Sequence, residues 1–199
     1  MLACDTSYVS RAGHRRIAAR FFAENSVTSG AWRFLRSSRA LRAKIGTALL
    51  HVPTVAVLAY DDQGRVVLVK DRASGLWGAP SGIVDPHELP SDAVVREVWE
   101  EAAVYVELTQ VLGVFAGERL SVVDPNGDQL AGVETVFVGR VISGMPRADQ
   151  EETSDAGLFH PGEIEHLPCY PHFLEIHRAV GRCPLQPYFK PATWRPPQT

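Results

Sequence analysis

The stretch GIVDPHELPSDAVVREVWEEAAV, residues 82–104, decides how this chain reads. Three of its carboxylates, Glu97, Glu100 and Glu101, fall at spacing i, i+3, i+4. On a helix those positions share one face. Like charges so spaced each cost roughly 0.2–0.5 kcal/mol. Glu100 and Glu101 also lie in the last turn, where the helix dipole disfavours anions by about 0.3–1 kcal/mol each. Arg96 is the only Lys or Arg in the stretch, and it adjoins Glu100. A face designed only for solvation would carry Lys at one of the three positions. An acid cluster with so little compensation is better explained by a divalent cation, and all-oxygen ligands point to Mg²⁺ or Mn²⁺ rather than Zn²⁺.

The same stretch predicts how the helix packs. At about 100° per residue, measured from Glu97, the three carboxylates span about 100°. Val94, Val95, Val98, Trp99 and Ala102 run from about 60° to about 200°. The expectation is an apolar face, Trp99 included, set on a sheet, with the acidic face adjoining it. Ser91 is the expected N-cap, with Asp92 in the first turn.

Outward from this helix, TVAVLAY (54–60) and RVVLVK (65–70) are β-branched runs. They are joined by DDQG, with Gly64 at a positive-φ position. VLGVFAG (111–117) is a further strand. ERLSVVD (118–124) and GVETVFVGRVI (132–142) flank the turn signal PNGD (125–128). An acidic loop, DQEETSD (149–155), leads into AGLFH (156–160), and PHFLEIHRAVG (171–181) reads as a helix with Gly181 just past its end. AWRFLRSSRALRAKIG (31–46) reads as a helix stopped by Gly46. The pattern of helix, strands, helix, strands, helix lacks regular βα alternation. It fits a mixed sheet with helices against it, of α/β or α+β type.

Residues 1–50 carry nine Lys or Arg and two acids, whereas the whole chain is net −3. Three readings of this basic arm stay open: docking on its own acidic body, contact with a phosphorylated partner or substrate, and an Arg-rich targeting peptide. Cys4, Cys169 and Cys183 are three, an odd number, and form no CxxC pair, so a reducing cytoplasm is expected. No apolar run approaches the ~18–20 residues that span a bilayer. Nucleic acid is disfavoured, because aromatic residues do not interleave with the bases. His166, Cys169 and His172 supply three zinc-type ligands rather than four, in a Pro-laced segment that reads as a loop.

Residues 82–104 resemble the signature of the Nudix hydrolases, G-x5-E-x7-R-E-U-x-E-E-x-G-U, with U aliphatic. Gly82, Glu88, Arg96, Glu97, Val98, Glu100, Glu101 and Val104 match at the right spacing. Ala103 departs from the family's Gly, at an expected backbone cost of about 1 kcal/mol. Ser81 stands where the family often has Gly. The resemblance covers roughly residues 40–180. It implies an α/β/α sandwich with a mixed β-sheet between helices, divided as a basic helical extension (1–50), a hydrolase domain (51–182) and a Pro-rich tail (183–199).

The resemblance further implies hydrolysis of a nucleoside diphosphate linked to another moiety, by water activated at Mg²⁺ or Mn²⁺. It makes Glu97, Glu100 and Glu101 the metal ligands, with the Ser81 carbonyl and Glu88 as further contributors. Arg96 would hold Glu100. The general base would be Glu97 or Glu152, with Glu151 close enough to be mistaken for the latter. Lys70 and Arg72 are candidates to meet phosphate, against the reading that both are merely solvated. Trp77 reads as loop packing, and Glu134 as facing either the site or solvent. The partner implied is a small nucleoside diphosphate derivative, and pairing of two copies is common in the family. The competing reading is a catalytically silent nucleotide-binding sensor on the same fold. The motif describes how the pyrophosphate breaks and leaves open what hangs from it.

Overall fold

The computed structural model describes residues 41–123, 127–182 and Pro187. Most of the basic arm, the tip of the PNGD turn and the Pro-rich tail lie outside the described residues. Residues 41–45 are helical, and Gly46 follows with φ 60°.

Strands β1 (Leu50–Tyr60), β2 (Val66–Asp71), β3 (Trp77–Gly78) and β4 (Ser81–Ile83) precede helix α1 (Pro90–Ala102). Then come β5 (Tyr105–Phe115), a 3₁₀ turn (Glu118–Leu120), β6 (Ser121–Val123), β7 (Gln129–Ser143) and β8 (Thr153–Phe159). Helices α2 (Pro161–Ile164) and α3 (Pro171–Arg182) close the described chain. The eight strands form one sheet of order β3-β2-β1-β7-β5, with β4 on β1, β6 on β7 and β8 on β2. β1 and β7 run parallel and every other pair is antiparallel, so the sheet is mixed. Gly64 closes the β1–β2 turn at φ 72°.

β1 sits centrally, and its alternate side chains enter two cores. Val55, Val57 and Ala59 pack with Val67 and Val69 beneath Ala93, Val94, Val98 and Ala102 of α1. Ala56 and Leu58 pack with Val66, Leu68 and Val136 against Ile164 of α2 and Phe173 and Ile176 of α3. A strand covered on both faces is largely apolar, which accounts for the unbroken VAVLA run of 55–59. Trp77 is buried and meets Phe159 edge-on at 4.9 Å, as loop packing requires. Cys169 is buried too, its thiol 3.7 Å from the Ile164 carbonyl oxygen.

Several local expectations need correction. α1 is capped by Leu89 rather than Ser91, and it begins on Pro90, whose fixed φ and missing N–H suit the first helical position. ERLSVVD is a 3₁₀ turn followed by a three-residue strand. Gly181 lies inside α3 rather than beyond it. Trp99, expected in the core, is 40% exposed. The buried positions of α1 are Ala93, Val94, Glu97, Val98, Glu101 and Ala102. On the helical wheel these centre near 50° from Glu97, at about 100° per residue. The packed face is therefore rotated toward the carboxylates, and Trp99, near 200°, falls off its edge.

Candidate active site

Glu97 and Glu101 lie within the packed face of α1, at 7% and 9% exposure. Burying an ionised carboxylate is costly unless something compensates it. Compensation comes from two directions. β4 pairs with β1 through Ser81↔Ala56, Gly82↔Val55 and Ile83↔Thr54, which pins β4 beneath α1. From there the Ser81 N–H donates to Glu101 Oε2 at 3.0 Å. Gly82 is required by space. A Cβ there would stand 2.2 Å from the Glu97 carboxyl carbon.

Arg96 supplies the rest. Its Nε donates to Glu88 Oε1 and its Nη2 to Glu88 Oε2, both at 2.9 Å. Nη1 donates to Glu97 Oε1 at 2.6 Å and to Glu100 Oε2 at 3.0 Å, and Nη2 also reaches the Ile83 carbonyl at 3.2 Å. Glu88 in turn accepts the Asp85 N–H at 3.0 Å, so it ties the loop before α1 to Arg96. The guanidinium fork is the geometry such multiple carboxylate contacts need. Ala103 ends the helix in the left-handed conformation, φ 55°, its N–H bonded to the Trp99 carbonyl at 3.0 Å.

β8 brings the remaining acid across the cleft. Asp149 Oδ1 accepts the N–H groups of Glu151, Glu152 and Thr153 at 3.0, 3.1 and 2.9 Å. The Thr153 hydroxyl lies 2.9 Å from Asp149 Oδ1 and 3.0 Å from the Glu101 carbonyl oxygen, which fastens this loop to the end of α1. Arg72 holds the loop from the other side. Its Nη1 donates to the Gln150 carbonyl and its backbone N–H to the Glu152 carbonyl, each at 2.9 Å. Arg72 is thus engaged with the loop. Lys70 lies outside the cleft lining, which takes its neighbours Val69 and Asp71. Glu152 lines the cleft with Ser81, Gly82 and Glu101, whereas Glu151 does not.

The charges perturb one another. Burial drives the Glu97 carboxyl up to about 7, against the pull of Arg96 and with help from Glu100 and Glu152. Burial, then the Glu97 charge, raises Glu101 well above its usual value, against the Ser81 N–H. Partial desolvation, Asp149 and Glu100 raise Glu152. Glu97, Glu100, Glu101 and Glu152 thus crowd together beside the Arg96 guanidinium, which Glu88 also engages. Among the described residues no three acidic, His or Cys side chains converge on one point, and Glu97 and Glu100 both turn onto Arg96 Nη1. The donor set nonetheless fits a hard divalent cation. It is all oxygen, it is in excess of its counter-charge, and its members destabilise one another as anions.

Two functional features escaped the sequence reading, and a third, the direction of Glu134, was left open there. Asp149 organises the Glu152 loop, and its D-x-x-x-T spacing to Thr153 was the available signal. Gly82 acts by leaving room for Glu97, which no spacing rule reveals. Glu134 is 5% exposed and faces the cleft, where burial alone raises its carboxyl to about 7.

Comparison with known proteins agrees with this geometry. A family model described as the NUDIX domain matches residues 50–177. A MutT-like protein of Streptomyces ambofaciens is 29% identical over 115 residues, 58% of this chain and 68% of that protein. YvcI of Bacillus subtilis, an uncharacterised Nudix hydrolase, is 29% identical over 128 residues, covering 62% of this chain and 76% of its own length. The crystal structure of a MutT NUDIX hydrolase from Burkholderia pseudomallei superposes with a TM-score of 0.54 at 25% identity, covering 66% of this chain and 98% of that one. With the family model spanning the sheet, α1 and most of α3, the chain belongs to the NUDIX family of pyrophosphohydrolases.

Proposed function

We propose that this chain hydrolyses the pyrophosphate linkage of a nucleoside diphosphate joined to a second group, in a reaction dependent on Mg²⁺ or Mn²⁺. The observation that carries the reading is the burial of Glu97 and Glu101 within the packed face of α1, beside Glu100 and opposite Glu152. Such a placement opposes stability and makes sense as a site for a positive ligand. Glu97, Glu100 and Glu101 would hold the cation, with the Ser81 backbone adjoining. When bound, a divalent cation supplies Lewis-acid polarisation and neutralises the charge of the diphosphate. Arg96 and Glu88 act as positioning residues that set the carboxylates from behind.

Glu152 is assigned as general base. Its carboxylate accepts no hydrogen bond from the described residues, it faces the cleft, and its raised pKa suits proton acceptance near neutrality. The oxygen of water bonds to phosphorus. The bridging P–O bond breaks, and its electron pair leaves with the departing phosphate. The water proton passes to the Glu152 carboxylate. A panel of nucleotide sugars, ADP-ribose, dinucleoside polyphosphates and oxidised nucleoside triphosphates, assayed with Mg²⁺ and then Mn²⁺, tests the proposal. Glu100→Gln should abolish turnover through lost cation binding. Glu152→Gln should lower kcat and leave the cation requirement unchanged. A chain that binds nucleotides yet releases them uncut would instead be a sensor.

A further inference from the structure

The cleft extends from the α1 carboxylates into a recess of about 330 Å³ between the sheet and α3, a size typical of small-molecule sites. Its walls are apolar, with Val52, Ala56, Leu58, Val136, Phe173 and Ile176 among them. Polar side chains enter the lining at the carboxylate end, where Glu101 and Glu152 lie, and at the rim, from Asp71, Arg119, Tyr170 and His172; two more, Glu134 and Thr54, rise from the sheet floor among apolar neighbours. Glu134 on β7 is 5% exposed and meets no hydrogen-bond donor or cation among the described residues. Thr54 Oγ1 on β1 is buried and likewise has no hydrogen-bond partner. The two are register partners across the parallel β1–β7 pair, so their side chains leave the sheet side by side on one face. Gly132, two residues before Glu134 on that face, keeps the floor open. A Cβ there would come to 3.0 Å from Thr54 Oγ1.

Buried polar groups are ordinarily satisfied, and an orphaned pair aimed into a cavity points to a ligand that completes it. Its chemistry follows from the surroundings. A sugar ring set on the floor beside Glu134 and Thr54 would bring several hydroxyls against Val52, Ala56, Leu58 and Val136, and each unmatched hydroxyl is penalised. A flat heteroaromatic base buries its faces against apolar walls and needs partners only at one edge. The spacing agrees. Glu134, Thr54 and Ile83 stand in a row on β7, β1 and β4, so Glu134 lies two strand spacings, about 10 Å, from β4. That is about the reach from the edge of a base to its 5′ phosphate.

Building on the hydrolase reading above, we infer that Glu134 and Thr54 read the edge of a nucleobase through an N–H donor on that base. The base lies in the recess, and its diphosphate extends to the carboxylates of α1. Glu134 accepts the N–H, and Thr54 supplies a hydroxyl that donates or accepts at the neighbouring ring position. Both therefore determine which base is taken and act on substrate binding, leaving the bond-breaking step to the carboxylates.

The test uses nucleoside 5′-monophosphates, which bind without being cut. Calorimetry on the full chain compares AMP, GMP, CMP, UMP and base-free ribose 5-phosphate. The tightest of the four is then compared with an analogue lacking the N–H donor, such as purine riboside 5′-monophosphate in place of AMP. The expected result is a preference of roughly tenfold or more for the base with its donor, the scale of one buried hydrogen bond to a charged group. Glu134→Leu should collapse it to within about twofold and leave ribose 5-phosphate binding unchanged. Thr54→Val, nearly isosteric, should weaken the preferred nucleotide severalfold and serves if Glu134→Leu does not fold. The inference is overturned if no monophosphate binds better than ribose 5-phosphate. It is equally overturned if either folded variant binds every nucleotide as the wild type does. Base-selective binding without hydrolysis of any diphosphate would sink the hydrolase reading alone, whereas hydrolysis indifferent to the base would sink only this one.

Discussion

Replacing Glu134 with Gln keeps the shape of a buried side chain and removes its ability to ionise. The consequence for stability can be worked from the structure. Burial raises the Glu134 carboxyl from the ordinary 4.5 to about 7, and no neighbouring charge adds to the shift. The folded state therefore holds this proton more tightly than the unfolded chain. Below pH 4.5 both states are protonated, and Glu134 exacts no ionisation penalty. Between pH 4.5 and 7 the folded state binds more protons, so stability falls as pH rises. Above pH 7 the loss is complete, and 2.5 units at 1.36 kcal/mol each come to about 3 kcal/mol. Glu97 and Glu101 are raised in the same direction, so the wild-type curve alone would not isolate Glu134. The difference between Glu134→Gln and wild type does, because those carboxylates do not contribute to its shift. Urea unfolding followed by circular dichroism from pH 4.5 to 8.5 measures it. The variant should gain about 3 kcal/mol relative to wild type across that range. A difference curve flat to within about 0.5 kcal/mol would refute the claim that Glu134 is buried without a partner.

Gly82→Ala should displace the buried Glu97 side chain, since a Cβ would stand 2.2 Å from its carboxyl carbon and 2.7 Å from its Cγ, and should disturb its contact with Arg96. kcat should drop at least about tenfold, with some loss of Tm, and a folded variant with wild-type kcat would contradict the role given to Gly82. Ala103→Gly relieves a left-handed residue at φ 55°, so it should stabilise by roughly 0.5–1 kcal/mol in denaturant titration, the αL penalty less the added freedom of the unfolded chain. Arg96→Ala leaves Glu88, Glu97 and Glu100 without their shared guanidinium and should destabilise by about 3 kcal/mol. Arg96→Lys should recover only part of this, since an ammonium cannot span both Glu88 oxygens as well as Glu97 and Glu100. Equal recovery by Lys would show that charge alone, without the fork, holds the cluster.

Much of the fold was legible because its signals are local. The β-branched runs of β1 and β2, Gly64 in their turn, and the carboxylate spacing of α1 each depend on a few neighbouring residues and a fixed backbone period. The backbone cost expected at Ala103, drawn from the Gly the family has there, agrees with its left-handed φ of 55°. The position of Trp99 was misread because helical spacing orders side chains around an axis without saying which sector a sheet will cover. The cap at Leu89 was missed because Pro90 outweighs a polar cap that begins one turn position later.

By itself, the sequence determined the family and the acidic helix, because a motif written in consecutive residues needs no partner to be read. Only the tertiary structure decided that Glu97 and Glu101 are buried, that Asp149 and Arg72 hold Glu152 at the cleft, and that Glu134 and Thr54 stand side by side in the recess. The physical reason is that strand register joins residues some 80 positions apart, as Thr54 to Glu134, and desolvation depends on what covers a group rather than on its neighbours in the chain.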